Sequence, residues 1–482
     1  MRNVLCYFFI ALFLLVVIIG ACNVLIKDKQ TKEKINKVVI KVFTLSFLIL
    51  TFLNLFLPDG FTISLSNDEA LAANGEFQAI LRWMNALSFM VIPISVYKDN
   101  DYFNKIAIYF CLPVAIVNVI YYTNYLDFFT STSGRGLYTI RFVTGAFKEF
   151  LIDETFRSIW FGSICLMQLG SLLLIAYRSY KCVFFNNAKQ VGNFFLILLG
   201  LILLALPIYT PQYLIGYTNH ILDRFTYVHI LWIVSVIAII LILYLIFKDK
   251  SYEDKYLLVI AMSLSLLHQF SMMYNVSAEL TCFKFPLQLC NLASYLMLFT
   301  LLTKNNKLFN FTLIINVVGA VIAMVVLDVD GNGVGYLWNV HYIVEHSNVI
   351  IIPLVCLVLK IFDPLTKKAV KDVIIGFSIY FVSVFAIGTI FNGIYNYTGN
   401  DYFKCYFLFL FIQEDSAEIL AFVGPIFDIK IKLGIFTIYP ILQGLVYVVF
   451  TAICVGTFFV IYSLTHLKVT NNNKNIIKHK HI

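Results

Sequence analysis

The sequence predicts an all-α, polytopic membrane protein. Of its 482 residues 60% are hydrophobic and only 13% are charged, with a mean hydropathy of +0.86, which excludes a water-soluble globular domain. Its apolar runs recur at a length that crosses a bilayer, where a helix of about 20 residues spans the hydrocarbon and bonds its own backbone groups. Thirteen such runs stand at 4–26, 38–57, 79–97, 104–122, 158–177, 191–210, 226–247, 255–272, 285–303, 309–327, 346–362, 370–392 and 436–463.

The loops between the runs orient them. Of the 35 Lys and Arg, 24 fall in alternate loops and 11 in the others, and Lys27, Lys29, Lys32, Lys34, Lys37 and Lys41 fill the first connection. Basic residues gather on the cytoplasmic side, so the N-terminus is expected outside and the C-terminus in the cytoplasm, with the chain in the plasma membrane. The net charge of +8 then reflects orientation and contact with anionic membrane lipids, and no nucleic acid is needed to explain it. Ile19-Gly20-Ala21-Cys22 resembles a lipoprotein cleavage box, but its basic cluster follows the apolar run, where a signal peptide carries it ahead. The first run is therefore read as an ordinary span.

The ten cysteines stand singly, with no CxxC pair, so neither a zinc site nor a disulfide framework is indicated. No metal and no cofactor is expected, and oligomeric state is not legible.

Residues 97–120 align without gaps on 303–326, sharing a short polar turn, Phe-Asn and a following apolar helix. Extended outward, the alignment pairs runs 1–6 with runs 7–12 as two degenerate six-helix repeats of the same orientation, leaving the last run as an appendage. The expected division is 1–225 for a first unit, 226–395 for a second, and 396–482 for an outer loop, a final span and a basic tail. At this offset Cys290 falls opposite Met84, and the stretch from Ile159 that answers the His346 region has no histidine. Only the second copy carries a polar constellation.

That constellation lies at the outer face. The run 285–303 begins outside, so Cys290 is five residues in, on the order of 8 Å deep at 1.5 Å per residue, and His346 opens the run 346–362 from the same side. His268, Glu279, Gln288, Asp328, His341, Glu345, Asn392 and Asn396 fall at the same level. Ionisable groups at membrane depth are costly and mark function, and a thiol beside an imidazole can act as nucleophile and base. Taken singly, a membrane cysteine is a small packing residue and a helix-start histidine an interfacial one. Asp328-Val329-Asp330-Gly331-Asn332-Gly333 matches the opening positions of a calcium loop, but Asn339 stands where a bidentate Glu is required, so the segment is read as a turn. Asp68-Glu69, in the outer loop 58–78, is read as a solvated pair.

From about 226 to 463 the chain resembles the bacterial YwaF-like integral membrane family, related to the eukaryotic acyltransferase transmembrane protein 164. The resemblance rests on FPLQLCNLASYLMLFTLL from Phe285, Leu308-Phe309, Gly319-Ala320, Asp328, Glu345-His346-Ser347, Gly399-Asn400-Asp401-Tyr402-Phe403 and Gly424-Pro425. It implies a lipid acyltransferase or acyl hydrolase in which Cys290 carries the acyl group and His346 is the base, with Gln288, Asp328, Asn392 and Tyr402 as binding residues and a phospholipid as substrate. Gln288 replaces a histidine of the family pattern, the outer loop before 346 lacks the family's aromatic character, and residues 1–225 carry no family motif. A transporter or flippase, favoured by the duplication, and a non-enzymatic structural protein are the alternatives.

Overall fold

The structure, a computed structural model, describes residues 25–54, 75–120, 154–215, 220–276, 285–327, 333–405, 407–411 and 429–478, with a few single positions between them. Twelve long helices among these follow the predicted runs in order: α1 (Lys29–Asn54), α2 (Gly75–Lys98), α3 (Asp101–Ile120), α4 (Glu154–Ser179), α5 (Ala188–Leu204), α6 (Tyr227–Phe247), α7 (Tyr252–Val276), α8 (Leu289–Thr303), α9 (Asn306–Val326), α10 (Leu337–Val358), α11 (Val370–Thr398) and α12 (Pro440–Lys478). A short antiparallel hairpin, β1 (Ile431–Leu433) and β2 (Phe436–Ile438), precedes α12. Nine of the helices are long and apolar enough to cross a membrane, namely α1 to α4, α6 and α9 to α12. The chain is thus a multi-pass helical membrane protein. The first predicted run, 4–26, lies largely outside the described residues.

Three helix starts differ from the expected ones. Asp28 caps α1 by accepting from the Thr31 amide at 2.8 Å, so the lysine-rich connection is already helical from Lys29. Helix α8 begins only at Leu289, because Gln288 keeps an extended backbone (φ −66°, ψ 151°) and Pro286 biases Phe285 away from the helical region. Helix α10 begins at Leu337, nine residues before the apolar run, since its polar residues Asn339, His341 and Glu345 are buried rather than left to solvent.

Contacts divide the chain into two units. One comprises Met1–Asn219, Leu264–Glu279 and Gly333–His341, and the other His220–Ser263, Leu280–Asn332 and Tyr342–Ile482.

In the first unit α2 and α3 form a helical hairpin that lies on α4, with α1 along α4 and α2. Leu81, Val114, Phe161 and Cys165 form an apolar cluster between them. Three carboxamides cross this interior, one from each helix. Asn118 Nδ2 donates to Asn85 Oδ1 at 2.6 Å and to Gln168 Oε1 at 2.9 Å, Asn85 Nδ2 returns a bond to Asn118 Oδ1 at 3.0 Å, and Gln168 Nε2 closes the ring on Asn85 Oδ1 at 3.0 Å. At the turn end, Arg178 pairs with Asp99 at 2.8 Å and donates to the Ser95 carbonyl at 2.8 Å. Trp83 ties α2 to α5 through the Ile202 carbonyl at 3.0 Å.

In the second unit α8 and α9 form the corresponding hairpin. Its turn repeats the first one: Asp99 and Lys304 adopt left-handed backbone (φ 49° and 51°), and the next residue, Asn100 or Asn305, caps the following helix through its side-chain oxygen. This match sets Asn100 opposite Asn305, one residue away from the gap-free pairing, and it places Asn85 rather than Met84 opposite Cys290. Around the second hairpin, Tyr256 donates to the Leu301 carbonyl at 2.8 Å, Asn310 to Asp372 at 2.9 Å, and Gly376 admits the Phe311 ring. Helix α12 joins α11 through the Ser378 and Tyr447 hydroxyls at 2.8 Å.

Candidate functional site

Cys290 lies on the first turn of α8, and the contacts of that turn fix its depth. Helices α8 and α9 run antiparallel, with the Thr300 and Thr312 hydroxyls 3.0 Å apart near one end. At the other end Gly319 lets the backbones close up, since a Cβ there would stand 3.3 Å from Leu289 Cβ and 3.5 Å from the Cys290 nitrogen. Gly319 precedes the end of α9 by seven residues, or about 10 Å at 1.5 Å per residue. On α11 the Tyr380 hydroxyl donates to the Leu287 carbonyl at 2.7 Å, and Tyr380 lies eighteen residues before Thr398, about 27 Å along the axis. Helix α8 therefore starts at a level where α9 and α11 are still within their spans, and Cys290 sits deeper than its place in the apolar run suggests.

A helix that begins inside the spans leaves backbone groups that lipid cannot satisfy, so the preceding segment must be covered by protein. The cover is an irregular strap, described over residues 401–405 and 407–411, in which Cys405, Phe407, Leu408, Leu410 and Phe411 are buried. Asn392 grips it twice, donating to the Cys405 carbonyl at 2.8 Å and accepting from the Cys405 amide at 3.1 Å. Gln288 accepts from the Leu408 amide at 3.3 Å, Gln443 donates to the Leu410 carbonyl at 3.1 Å, and Gly388 makes room for the Phe411 ring. Gln288 and Asn392, two of the predicted binding residues, thus hold the strap over the start of α8. Tyr402 lies in the one-turn helix Asp401–Phe403 that opens it. Asp328, Glu279 and Asp68-Glu69 lie outside the described residues, as does most of the predicted turn at 328–333. Asn339 closes the end of that turn by donating to the Gly333 carbonyl at 3.1 Å.

Helix α10 supplies the other side chains. His346, 4% exposed, places Nδ1 2.8 Å from the Tyr342 carbonyl. A carbonyl only accepts, so Nδ1 carries the proton and Nε2 keeps the lone pair that a general base requires. The ring rests on Tyr342 with centroids 4.2 Å apart, and Tyr342 is itself fixed by its bond to the Ala323 carbonyl at 2.8 Å. Ser347 accepts from Trp232 Nε1 at 2.7 Å, which holds α10 to α6. His229 on α6 uses both ring nitrogens, toward the Phe225 amide and the Met324 carbonyl, and is structural.

The thiol of Cys290 donates to Asn291 Oδ1 at 3.4 Å, so its hydrogen bond and that of His346 are directed elsewhere than to each other. What the fold does bring to the thiol is Glu345, buried on α10, and Tyr380, both close enough to interact with it electrostatically. Glu345 was visible as the neighbour of His346. Tyr380 had no signal, being one of 29 tyrosines in the chain. Asn316 was also missed, although an amide in the middle of the run 309–327 is a readable anomaly. It is fully buried, and neither end of its carboxamide has a hydrogen-bond partner among the described residues. Its place between Thr312 and Gly319 on one stripe of α9 turns it toward α8. His268 and His341 belong to the first unit, where their rings meet Phe89 and Phe270 at 5.4 and 6.0 Å.

The model of the TMEM164 family matches residues 222–462, half of the chain. The chain belongs to the TMEM164 family. The match covers α6 to α11 and most of α12, and with them Cys290, Glu345, His346 and Tyr380, whereas α1 to α5 lie outside it. No curated protein and no solved structure matches the chain.

Proposed function

We propose that this TMEM164 family member is a lipid acyltransferase or acyl hydrolase that works through a thioester on Cys290, with His346 as general base. The observation that carries the reading is the placement of Cys290 at the start of a short helix inside the spans, within electrostatic reach of a buried carboxyl and phenol. In the first step Sγ attacks the carbonyl carbon of a phospholipid ester, and the ester C–O bond breaks. The thiol proton passes by way of His346 Nε2 to the departing lyso-lipid oxygen. In the second step a lipid alcohol or water attacks the thioester, its proton passes to the sulfur by the same imidazole, and the C–S bond breaks. In this reading the amides at the start of α8, which the Gln288 side chain does not cap, are the donors for the carbonyl oxygen as it gains charge, and Tyr380 positions that turn by holding the Leu287 carbonyl.

Transport is the second reading, favoured by a helix that begins within the spans, as discontinuous helices do in transporters. One experiment separates the two. Purified protein in lipid nanodiscs is offered phospholipid with a labelled acyl chain, and hydroxylamine-sensitive label on the protein is measured for wild type, Cys290→Ala and His346→Ala. Label on wild type that is lost in Cys290→Ala and acquired more slowly in His346→Ala supports the thioester. Folded wild type that takes no label from a panel of phospholipids sinks it and leaves transport.

A further inference from the structure

The β1–β2 hairpin is not used by the Cys290 site, and its sequence alternates in a telling way: Ile429, Ile431 and Leu433 are interleaved with Lys430 and Lys432. The register places Lys432 opposite Thr437 and Leu433 opposite Phe436, so the lysines share one face with Thr437 while Ile431, Leu433, Phe436 and Ile438 take the other. Asn396 on α11 docks the hairpin by donating to the Ile435 carbonyl at 2.9 Å and to Thr437 Oγ1 at 3.3 Å. Gly393 leaves room for the Phe436 ring, which would stand 2.6 Å from a Cβ. Against the lysine face lies a cavity of about 510 Å³ lined by Asn396, Tyr397, Lys430, Lys432, Thr437 and Tyr439, among others. Among the described residues its lining contains no carboxylate and neither lysine makes an ion pair. The aliphatic face is open as well, with Ile431 48% and Leu433 57% exposed.

We propose that this cavity binds the phosphate of an anionic phospholipid headgroup, with the aliphatic face of the hairpin seated among the adjoining acyl chains. Two ammonium groups beside hydroxyls form a donor set suited to a phosphate. The volume suits a headgroup, and the two tyrosines belong at a membrane boundary. The hairpin's two faces match the two halves of that boundary, charge toward the phosphates and hydrocarbon toward the chains. Asn396 stands sixteen residues beyond Tyr380 on α11, about 24 Å along the axis. In a phospholipid the ester carbonyls adjoin the headgroup, so a lipid held here does not present its ester to Cys290. The cavity is an anchoring site separate from the thiol, and it stands whether or not Cys290 is acylated.

The test uses the whole protein in nanodiscs of phosphatidylcholine doped with phosphatidylglycerol, with co-purifying lipid counted by native mass spectrometry after gentle extraction. Wild type is expected to retain phosphatidylglycerol preferentially, and K430Q/K432Q to lower that preference about tenfold. K248Q/K250Q, which removes two lysines at the opposite end of the spans, is expected to leave it unchanged, and millimolar inorganic phosphate not to displace the lipid. Equal retention by K430Q/K432Q and wild type overturns the site. An equal loss in K248Q/K250Q overturns it too, since the preference would then follow total charge. Displacement by inorganic phosphate alone assigns the cavity to a small anion and overturns the lipid.

Discussion

The α2–α3 and α8–α9 hairpins are built on the same turn but treat their buried polar groups in opposite ways. Asn85 and Cys290 each stand thirteen residues ahead of the last residue of their helix. In the first hairpin that position is an amide locked into a ring with Asn118 and Gln168, in which each carboxamide has a partner. In the second it is a thiol that, among the described residues, is bonded only to its neighbour Asn291, beside a buried carboxyl and one stripe away from an amide with no hydrogen-bond partner among those residues. A satisfied buried network stiffens a fold, while unsatisfied buried groups cost stability and persist where they do something else. The first hairpin reads as scaffold, and under the proposed function the second is the one that carries the reactive thiol.

The sharpest way to break this contrast is to exchange what the two positions lose. Cys290→Ala is expected to abolish hydroxylamine-sensitive acyl label, whereas Asn85→Ala should leave the label per folded molecule unchanged and lower stability. If Asn85→Ala matched Cys290→Ala in labelling at equal folded fraction, the two hairpins would not differ in role. Stability should divide the other way. Asn118→Leu strands Asn85 Nδ2 and Gln168 Oε1 and is expected to cost about 2 kcal/mol, read by detergent titration in mixed micelles. Asn316→Leu removes an amide that has no bond to lose among the described residues, and should be neutral or stabilising. A cost for Asn316→Leu equal to that of Asn118→Leu would show that Asn316 is bonded after all.

Much of this architecture was legible because membrane spans obey a simple rule of length and apolarity, and all but the first of the thirteen runs meet a helix among the described residues. The likeness of the two polar turns was visible in the sequence, but a one-residue offset hid the pairing of Cys290 with Asn85, since gap-free alignment cannot register the left-handed residues Asp99 and Lys304 from which the turns are matched. Cys290 and His346 stood out by residue type. Their surroundings did not: which residues reach the thiol depends on where α8 starts and on how the strap lies over it. Gln288 and Asn392 looked like site residues for the same reason that they serve as clamps, because a buried strap needs polar side chains to bond its backbone.

The contact that sets the depth of Cys290 offers a finer probe. Gly319→Val inserts a branched side chain between α9 and the first turn of α8, where even a Cβ meets Leu289 at 3.3 Å. It is expected to cost about 1–2 kcal/mol by overpacking and to change the rate at which a membrane-permeant alkylating reagent modifies Cys290. Gly200 on α5, where a Cβ meets nothing within 4 Å, is the control: Gly200→Val should move neither quantity. An unchanged Cys290 rate in Gly319→Val would mean that the close approach does not position the thiol.

The smallest effects test the shared element itself. Asn100 accepts from the Tyr102 and Phe103 amides at 3.0 and 3.3 Å, and Asn305 from the Lys307 and Leu308 amides at 3.0 and 3.2 Å. The same two bonds are lost in Asn100→Ala and Asn305→Ala, so each should cost about 1 kcal/mol, and the two losses should agree within the error of the titration. Neither change reaches the thiol, so acyl labelling per folded molecule should be preserved in both. Unequal losses would mean that the turns are held differently despite their common backbone, Asp99 by its pair with Arg178 and Lys304 by its place 4.7 Å over the Tyr256 ring. A direct check follows from that difference. Arg178→Gln should weaken only the first hairpin and Tyr256→Leu only the second, which would locate any asymmetry in the anchors and leave the turn as the feature that the two hairpins share.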